Sequence, residues 1–115
     1  MKLRVNPEAI EDIAGIKKYI REDLSNPMAA DRIVDKIVKS YKRLKASPYL
    51  GQSLSVIIEM ETDYRYLICE SYLIFYKVGD NMVSVHRVIY GKRDYCRLLF
   101  DIESMEDALK SVSDV

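Results

Sequence analysis

The spacing of apolar residues changes near the middle of this 115-residue chain, and the change predicts helices first and strands afterwards. Between positions 30 and 44 apolar residues recur every three or four positions, as on one face of an α-helix. From 55 to 90, short apolar runs are separated by turn-forming steps, as in antiparallel strands. Ser47-Pro48 lies between the two patterns and is expected to end the helical part.

Two Asn-Pro steps predict the helix starts. Asn6 and Asn26 can each cap a helix through the side-chain oxygen, and the proline that follows suits the first helical position. The apolar face of the first helix is predicted to hold Ile10, Ile13, Ala14, Ile20 and Leu24. That of the second is predicted to hold Ala30, Ile33, Val34, Ile37, Val38, Tyr41 and Leu44. The short link between them predicts an antiparallel helical hairpin.

The predicted strands are KLRV (2–5), SVIIEM (55–60), YRYLIC (64–69), YLIFYKV (72–78) and MVSVHRVIY (82–90). Short connections between the last four predict an antiparallel meander. A short terminal helix is predicted after Asp94, which can cap it. The sequence therefore predicts an α+β fold in which the N-terminal helical hairpin packs on a twisted, mainly antiparallel sheet. We expect one domain over 1–100 and an acidic extension over 101–115.

Charge and cysteine content exclude several classes of protein. The net charge is zero, yet residues 1–50 hold 11 basic and 7 acidic residues, and residues 101–115 hold 1 and 5. Such a gradient indicates local patches, not a general polyanion binder. Cys69 and Cys96 form no CxxC motif and are interpreted as structural thiols, so we expect no metal and no cofactor. With no signal peptide and no membrane-length apolar run, the sequence predicts a cytoplasmic protein.

Three segments resemble the RelE/ParE superfamily of toxins. They are NPMAADRIVDKIVKSYKRLKASPYLGQ (26–52), YRYLICESYLIFYKV (64–78) and VHRVIYGKRDYCRLLF (85–100), and the last is the most specific. The resemblance implies the RelE/ParE fold and the growth-inhibiting half of a bacterial type II toxin–antitoxin pair, similar to plasmid stabilisation proteins. It also implies a cognate antitoxin as partner, in a toxin–antitoxin hetero-oligomer or beside a toxin dimer.

The superfamily has two activities, and the chain does not match the members with each activity equally well. Ribosome-dependent members hold mRNA on cations of the concave sheet face and support its cleavage, without metal, by the message's own 2′-hydroxyl. Gyrase-directed members bind a topoisomerase instead. Arg93 matches an arginine of the mRNA-cleaving members, but Leu73 stands where they carry a second one. Their other catalytic positions fall at Tyr64, Tyr66 and Leu99.

These departures favour the ParE-like branch, which acts by binding a target such as DNA gyrase. The alternatives are a ribosome-dependent mRNA endonuclease and a non-toxic relative that serves only as a binding module. Metal-free RNA cleavage needs a proton acceptor, a cation for the phosphorane charge and a proton donor. The candidate catalytic residues are Arg93, Arg65, Arg87 and His86. The candidate target or nucleic-acid contacts are Lys92, Arg93, Tyr95 and Arg97.

Each candidate also has a structural interpretation. Strict alternation places Arg87 on one face of its strand, and His86 with Val88 on the other, so the two would converge only at a bulge. For His86 we favour a packed or hydrogen-bonded structural histidine over a catalytic one. Arg65 is equally explained as a partner of Glu61 or of Asp94.

Surface features predict where partners would bind. The second helix carries a basic stripe, Arg32, Lys36, Lys39 and Arg43, that is either a solvated face or a target contact. Tyrosines between 64 and 95 are expected to pack in the sheet. An exposed sheet edge and an apolar groove beside the hairpin would accept a strand or helix of the antitoxin. We also hypothesise that the acidic segment 101–115 folds back on the cationic surface when no partner is bound.

Overall fold

Two helices pack on a five-stranded sheet in the computed structural model, which describes residues 1–58 and 61–91. The strands are β1 (Lys2–Val5), β2 (Gln52–Ser53), β3 (Tyr64–Cys69), β4 (Tyr72–Val78) and β5 (Met82–Tyr90). The α-helices are α1 (Pro7–Lys18), α2 (Pro27–Lys42) and the single turn α3 (Ser55–Ile58). A π-helical segment (Tyr19–Asp23) continues α1, and a 3₁₀ turn (Arg43–Lys45) continues α2. The α+β prediction is confirmed. The predicted helix after Asp94 and the extension 101–115 lie outside the described residues.

The sheet has the strand order β1-β5-β4-β3-β2. The predicted antiparallel meander is confirmed for β3, β4 and β5. Strand β2 also pairs antiparallel with β3, but it lies at 52–53 and not at the predicted 55–60. Strand β1 pairs in parallel with β5. A parallel pair requires a long crossover, which the helical hairpin and the meander supply. Both outer strands, β1 and β2, are short. Parts of their neighbours β5 and β3 therefore have no described strand beside them.

The two Asn-Pro steps begin α1 and α2 as predicted, but only one asparagine side chain caps its helix. Asn26 Oδ1 accepts the N–H of Ala29 at 3.1 Å. Asn6 makes no side-chain cap. Its Nδ2 lies 3.3 Å from Nδ1 of His86 on β5, and the prediction for Asn6 is therefore wrong. The neighbouring strand presents an acceptor to the amide, so the side chain turns to the sheet.

The core between helices and sheet follows the predicted α2 stripe, whereas the predicted α1 face is partly wrong. Ala30, Ile33, Ile37 and Leu44 are buried. Helix α1 packs through Ala9, Ile13 and Ile16, and Ile20 just beyond its end is also buried, so Ile13 and Ile20 are as predicted. Ile10 and Leu24 are 57% and 55% exposed. The face of α1 is set by Asp12, which lies on the same side as those three residues and contacts β5.

Residues 55–60 were predicted to be a strand, and that prediction is wrong for 55–58, which form α3. Residues 59 and 60 lie outside the described residues. The strand is β2, two residues long, and the chain then turns into α3. Ser53 Oγ lies 2.7 Å from Ser55 Oγ and also accepts the N–H of Ser55 at 3.4 Å. Such local side-chain bonds offer the backbone an alternative to the strand ladder. Val56 is accordingly 79% exposed.

The strand tyrosines pack within the sheet, as expected. Tyr72 and Tyr76 are buried on the helix side, while Tyr64 and Tyr66 are buried in a second cluster on the opposite face. Cys69 is a buried free thiol, consistent with a structural role. None of the helices within residues 1–58 and 61–91 has the length and apolar content that crossing a bilayer requires.

Candidate functional site

Arg87, a candidate catalytic residue, is bound to helix α1. Its Nε donates to Asp12 Oδ2 at 2.7 Å and its Nη2 donates to Oδ1 at 3.0 Å. The same Oδ2 accepts the backbone N–H of Val88 at 3.0 Å. Both side chains are partly buried, 36% and 17% exposed. Two-point binding of a carboxylate by the guanidinium makes Arg87 a link between strand and helix.

Strand β5 has a bulge immediately before Arg87. Phe75 and Tyr76 of β4 lie opposite Arg87 and Val85, so His86 between them has no partner on β4. An extra residue of this kind reverses the side-chain alternation that follows it.

The bulge corrects the predicted faces of β5. Val88 is buried in the helix-side core with Val83 and Val85, so the prediction that it shares a face with His86 is wrong. His86 instead packs edge to face on the Tyr64 ring of the opposite face, with centroids 5.2 Å apart. His86 and Arg87 therefore diverge.

Arg65, the third candidate, holds the loop that precedes β2. Its Nη2 donates to the carbonyl oxygens of Tyr49, at 3.3 Å, and of Gly51. The guanidinium also lies over the Tyr49 ring, 5.2 Å from its centroid. The predicted ion pair with Glu61 is not formed, and Asp94 lies outside the described residues. Strand β4 also holds this loop, because the Gly51 N–H donates to the Tyr76 hydroxyl at 2.9 Å.

The positions at which mRNA-cleaving relatives carry catalytic side chains are apolar or buried where the structure describes them. Leu73, Tyr64 and Tyr66 are 8%, 3% and 9% exposed. A Cβ on Gly91 would lie 2.8 Å from Leu73 Cγ, so the strand end packs tightly on that leucine. The predicted residues Lys92, Arg93, Tyr95 and Arg97, together with Leu99, lie outside the described residues.

Most of the basic stripe on α2 is ion-paired. Arg32 and Lys36 both donate to Glu70 Oε1, at 2.9 and 2.7 Å. These bonds, first that from Lys36, lower the pKa of Glu70. Lys39 pairs with Asp35 at 2.8 Å on the same helix. Exposed pairs of this kind contribute little to stability, because solvent screens them. Their clearer effect is to tie α2 to the β3–β4 turn and to reduce the net positive charge of the stripe.

The outer edge of β3 is only half covered. Strand β2 pairs with it at Tyr66 and Arg65 alone, so no described strand covers the edge from Leu67 onwards. An open cleft of about 200 Å³ lies here. It is lined by Leu50, Gly51, Gln52, Tyr66, Leu67 and Ile68. Ile68 and Leu50 are 68% and 41% exposed, which makes the rim of the cleft apolar.

Sequence reasoning did not find Asp12, whose carboxylate organises this part of the sheet. The available signal was an acidic residue on the helix face that also carries Ala9, Ile13 and Ile16. Metal binding has no support within residues 1–58 and 61–91, where no three His, Cys, Asp or Glu side chains come together to hold an ion.

Comparison with known proteins places the chain in a family. A family model described as the ParE toxin of the type II toxin–antitoxin system, parDE, matches residues 3–95. The chain belongs to the ParE toxin family. The fold agrees with a solved structure described as the chromosomal ParDE TA system from P. aeruginosa, with a TM-score of 0.66 and 22% sequence identity. That match covers 78% of this chain and 95% of the other. No curated protein matches this ParE-family chain.

Alanine at two glycines tests the packing of the loop that Arg65 holds. A Cβ on Gly51 would lie 2.3 Å from the Tyr66 carbonyl oxygen and 2.7 Å from the Tyr76 hydroxyl. Because backbone must move, we expect Gly51→Ala to lower the free energy of unfolding by about 2 kcal/mol or more. Gly15→Ala is the matched control, since nothing lies within 4 Å of its added Cβ. In mid-helix it should raise the free energy of unfolding by about 0.5–1 kcal/mol.

Urea unfolding at equilibrium measures both changes. Equal effects of the two substitutions would contradict the described position of the loop against β3 and β4.

Proposed function

We propose that this ParE-family chain is the growth-inhibiting toxin of a type II toxin–antitoxin module and acts by binding a target such as DNA gyrase. The observation that supports target binding over mRNA cleavage is that two arginines of the sheet are bound to other parts of the fold. Arg87 is bound to Asp12 and Arg65 to two backbone carbonyls. Both guanidinium groups already have partners inside the fold.

Metal-free RNA cleavage requires a cation that can approach the scissile phosphate. Such a cation must exchange its contacts for the substrate without loss of the fold. Removing Arg87 from Asp12 would leave a carboxylate that is 17% exposed without its cation, which is costly. Leu73 stands where the mRNA-cleaving members carry a second arginine, and its side chain supplies no cation. A binding toxin needs no such set, so the described part of the chain favours that mode.

Metabolic labelling after induced expression in a bacterial host tests the mode of action. We expect thymidine incorporation into DNA to fall within minutes, before methionine incorporation into protein. Gly15→Ala should behave as the parent chain does, while Gly51→Ala should weaken the arrest because less protein is folded.

Protein synthesis that stops first would contradict target binding and favour the ribosome-dependent endonuclease. Continued growth of cells that contain soluble, folded protein would contradict a toxic activity and favour the non-toxic binding module.

We further propose that the antitoxin binds the open edge of β3. An edge strand presents unpaired N–H and C=O groups to which an extended segment can add by backbone hydrogen bonds. Next to it, the cleft lined by Leu50, Leu67 and Ile68 would take apolar side chains of that segment. The edge and the cleft together supply affinity and selectivity for an extended apolar peptide.

Lysine substitutions at two exposed apolar positions test the antitoxin site. Ile68→Lys places a charge in the cleft rim, and we expect it to weaken binding of the antitoxin about tenfold or more. Val56→Lys is the control, because Val56 is 79% exposed and lies on α3, away from the cleft. Calorimetric titration with the protein encoded beside this chain's gene measures both affinities.

Both variants should remain folded, since each side chain is mostly exposed. Unchanged affinity of Ile68→Lys, or an equal loss in Val56→Lys, would contradict binding at the β3 edge.

A further inference from the structure

The uncovered part of the β3 edge offers the backbone of Ile68 for pairing. The Tyr64 carbonyl oxygen accepts the N–H of Leu54 at 2.9 Å, so the backbone groups of Tyr64 point away from β4. These directions alternate along a strand, and the N–H and C=O groups of Tyr66 and Ile68 therefore point the same way. Tyr66 pairs there with Gln52 of β2, but no residue in the described part of the chain pairs with Ile68 on that side.

An added antiparallel segment would place one residue directly opposite Ile68. The two residues would exchange both backbone hydrogen bonds, as the close pairs of an antiparallel ladder do. The chain itself does not fill this position. It turns just before β2, where the Leu50 N–H donates to the Ser47 carbonyl oxygen at 3.1 Å.

The register of β2 fixes where the side chain of the opposite residue would lie. Gln52 is opposite Tyr66, so a segment that continues the line of β2 has its residue opposite Ile68 two positions beyond Gln52. Two positions along a strand span about 7 Å, and their side chains lie on the same face. That side chain would therefore have Ile68 across the strand gap and Gln52 beside it.

Gln52 presents an oriented donor at this position. Its Oε1 accepts the Tyr66 hydroxyl at 2.9 Å, which fixes the plane of the side-chain amide. The Nε2 of the same amide carries two hydrogens, and it makes no hydrogen bond to the described part of the chain. Gln52 is exposed and lines the cleft. A donor that is already oriented loses little conformational freedom when it binds.

The two neighbours require different properties of one side chain. Ile68 is 68% exposed and favours an aliphatic stem. Gln52 Nε2 requires an acceptor oxygen on that stem. A purely aliphatic side chain would remove water from Nε2 without replacing its hydrogen bond, which is unfavourable. Threonine, glutamine and glutamate combine a stem with an acceptor.

We propose that Gln52 is a specificity-determining residue of this chain. It selects a side chain with an acceptor oxygen on an aliphatic stem at the antitoxin residue that pairs with Ile68. The inference rests on the proposed function, since it takes the β3 edge as the antitoxin site. It goes further by naming the residue that discriminates between partners and the side chains that it accepts.

Amide hydrogen exchange, followed by NMR, tests the pairing at Ile68. The probe is the protein encoded beside this chain's gene, added to the full chain. In the free chain the Ile68 N–H should exchange fast, whereas those of Leu67 and Cys69, which point toward β4, should exchange slowly. In the complex, exchange at Ile68 should slow about tenfold or more.

Two matched amide-to-carboxylate substitutions test the role of Gln52. Gln52→Glu keeps an acceptor for the Tyr66 hydroxyl but removes the Nε2 donor, and we expect it to weaken binding of the same protein about tenfold. Asn81→Asp is the control, because Asn81 is exposed in the turn before β5, at the Tyr64 end of the sheet. It should leave the affinity, measured by calorimetric titration, unchanged. Far-UV circular dichroism would confirm that both variants are folded.

Alanine substitution of each threonine, glutamine and glutamate in the neighbour-encoded protein locates the selected side chain. At one position, alanine should weaken binding to the parent chain about tenfold and binding to Gln52→Glu much less, because the two groups contact each other.

The outcomes separate this inference from the proposed function. Slower exchange at Ile68 with unchanged affinity in Gln52→Glu, or with no coupled position, would overturn selection by Gln52 and leave the β3 edge as the antitoxin site. Tight binding that leaves exchange at Ile68 unchanged would overturn both the selection and the β3-edge site. Neither result would alter the growth arrest, which the labelling experiment measures without the antitoxin.

Discussion

The Asp12 carboxylate is the interaction on which the rest of the described structure depends. It accepts three hydrogen bonds, two from the Arg87 guanidinium and one from the Val88 backbone. Strand β1 leaves β5 just before this point, where the Asn6 N–H donates to the Val85 carbonyl. The carboxylate therefore satisfies the edge of β5 beyond the end of β1. In the same step it fixes which face of α1 meets the sheet and stabilises the bulge at His86.

The bulge decides what the surface of this ParE-family toxin can do. It brings Val88 to the helix side soon after Val85, while Arg87 contacts Asp12 of α1. His86 lies on the opposite face, beside Asn6 and Tyr64. The candidate catalytic residues that the structure describes are thus separated instead of converging on one substrate. The β3 edge is a separate surface, at the side of the sheet away from β1 and β5.

The sequence predicted those elements whose signals are local and agree with one another. The α2 stripe, the Asn26 cap and the β3–β5 meander are of this kind, and each is confirmed. The failures arise where a distant residue competes with the local signal. Asn6 turns to His86, 80 positions away, instead of capping α1. Strict alternation failed at the bulge because the Asp12–Arg87 contact joins positions 75 residues apart.

The candidate site was less predictable than the fold. The sequence alone does not reveal that Arg65 Nη2 donates to the carbonyl oxygens of Tyr49 and Gly51. Basic residues spaced along a chain indicate a site only once the sheet register is known.

The most direct test of this account is a double-mutant cycle on Asp12 and Arg87, read by urea unfolding and by growth arrest. If the pair is structural, Asp12→Ala and Arg87→Ala should each lower the free energy of unfolding by about 2–3 kcal/mol, and the double variant should cost little more. Arrest should then persist in both single variants wherever they remain folded. Loss of arrest in Arg87→Ala alone, with unchanged stability and with Asp12→Ala still toxic, would show that Arg87 acts on the target and would contradict the account.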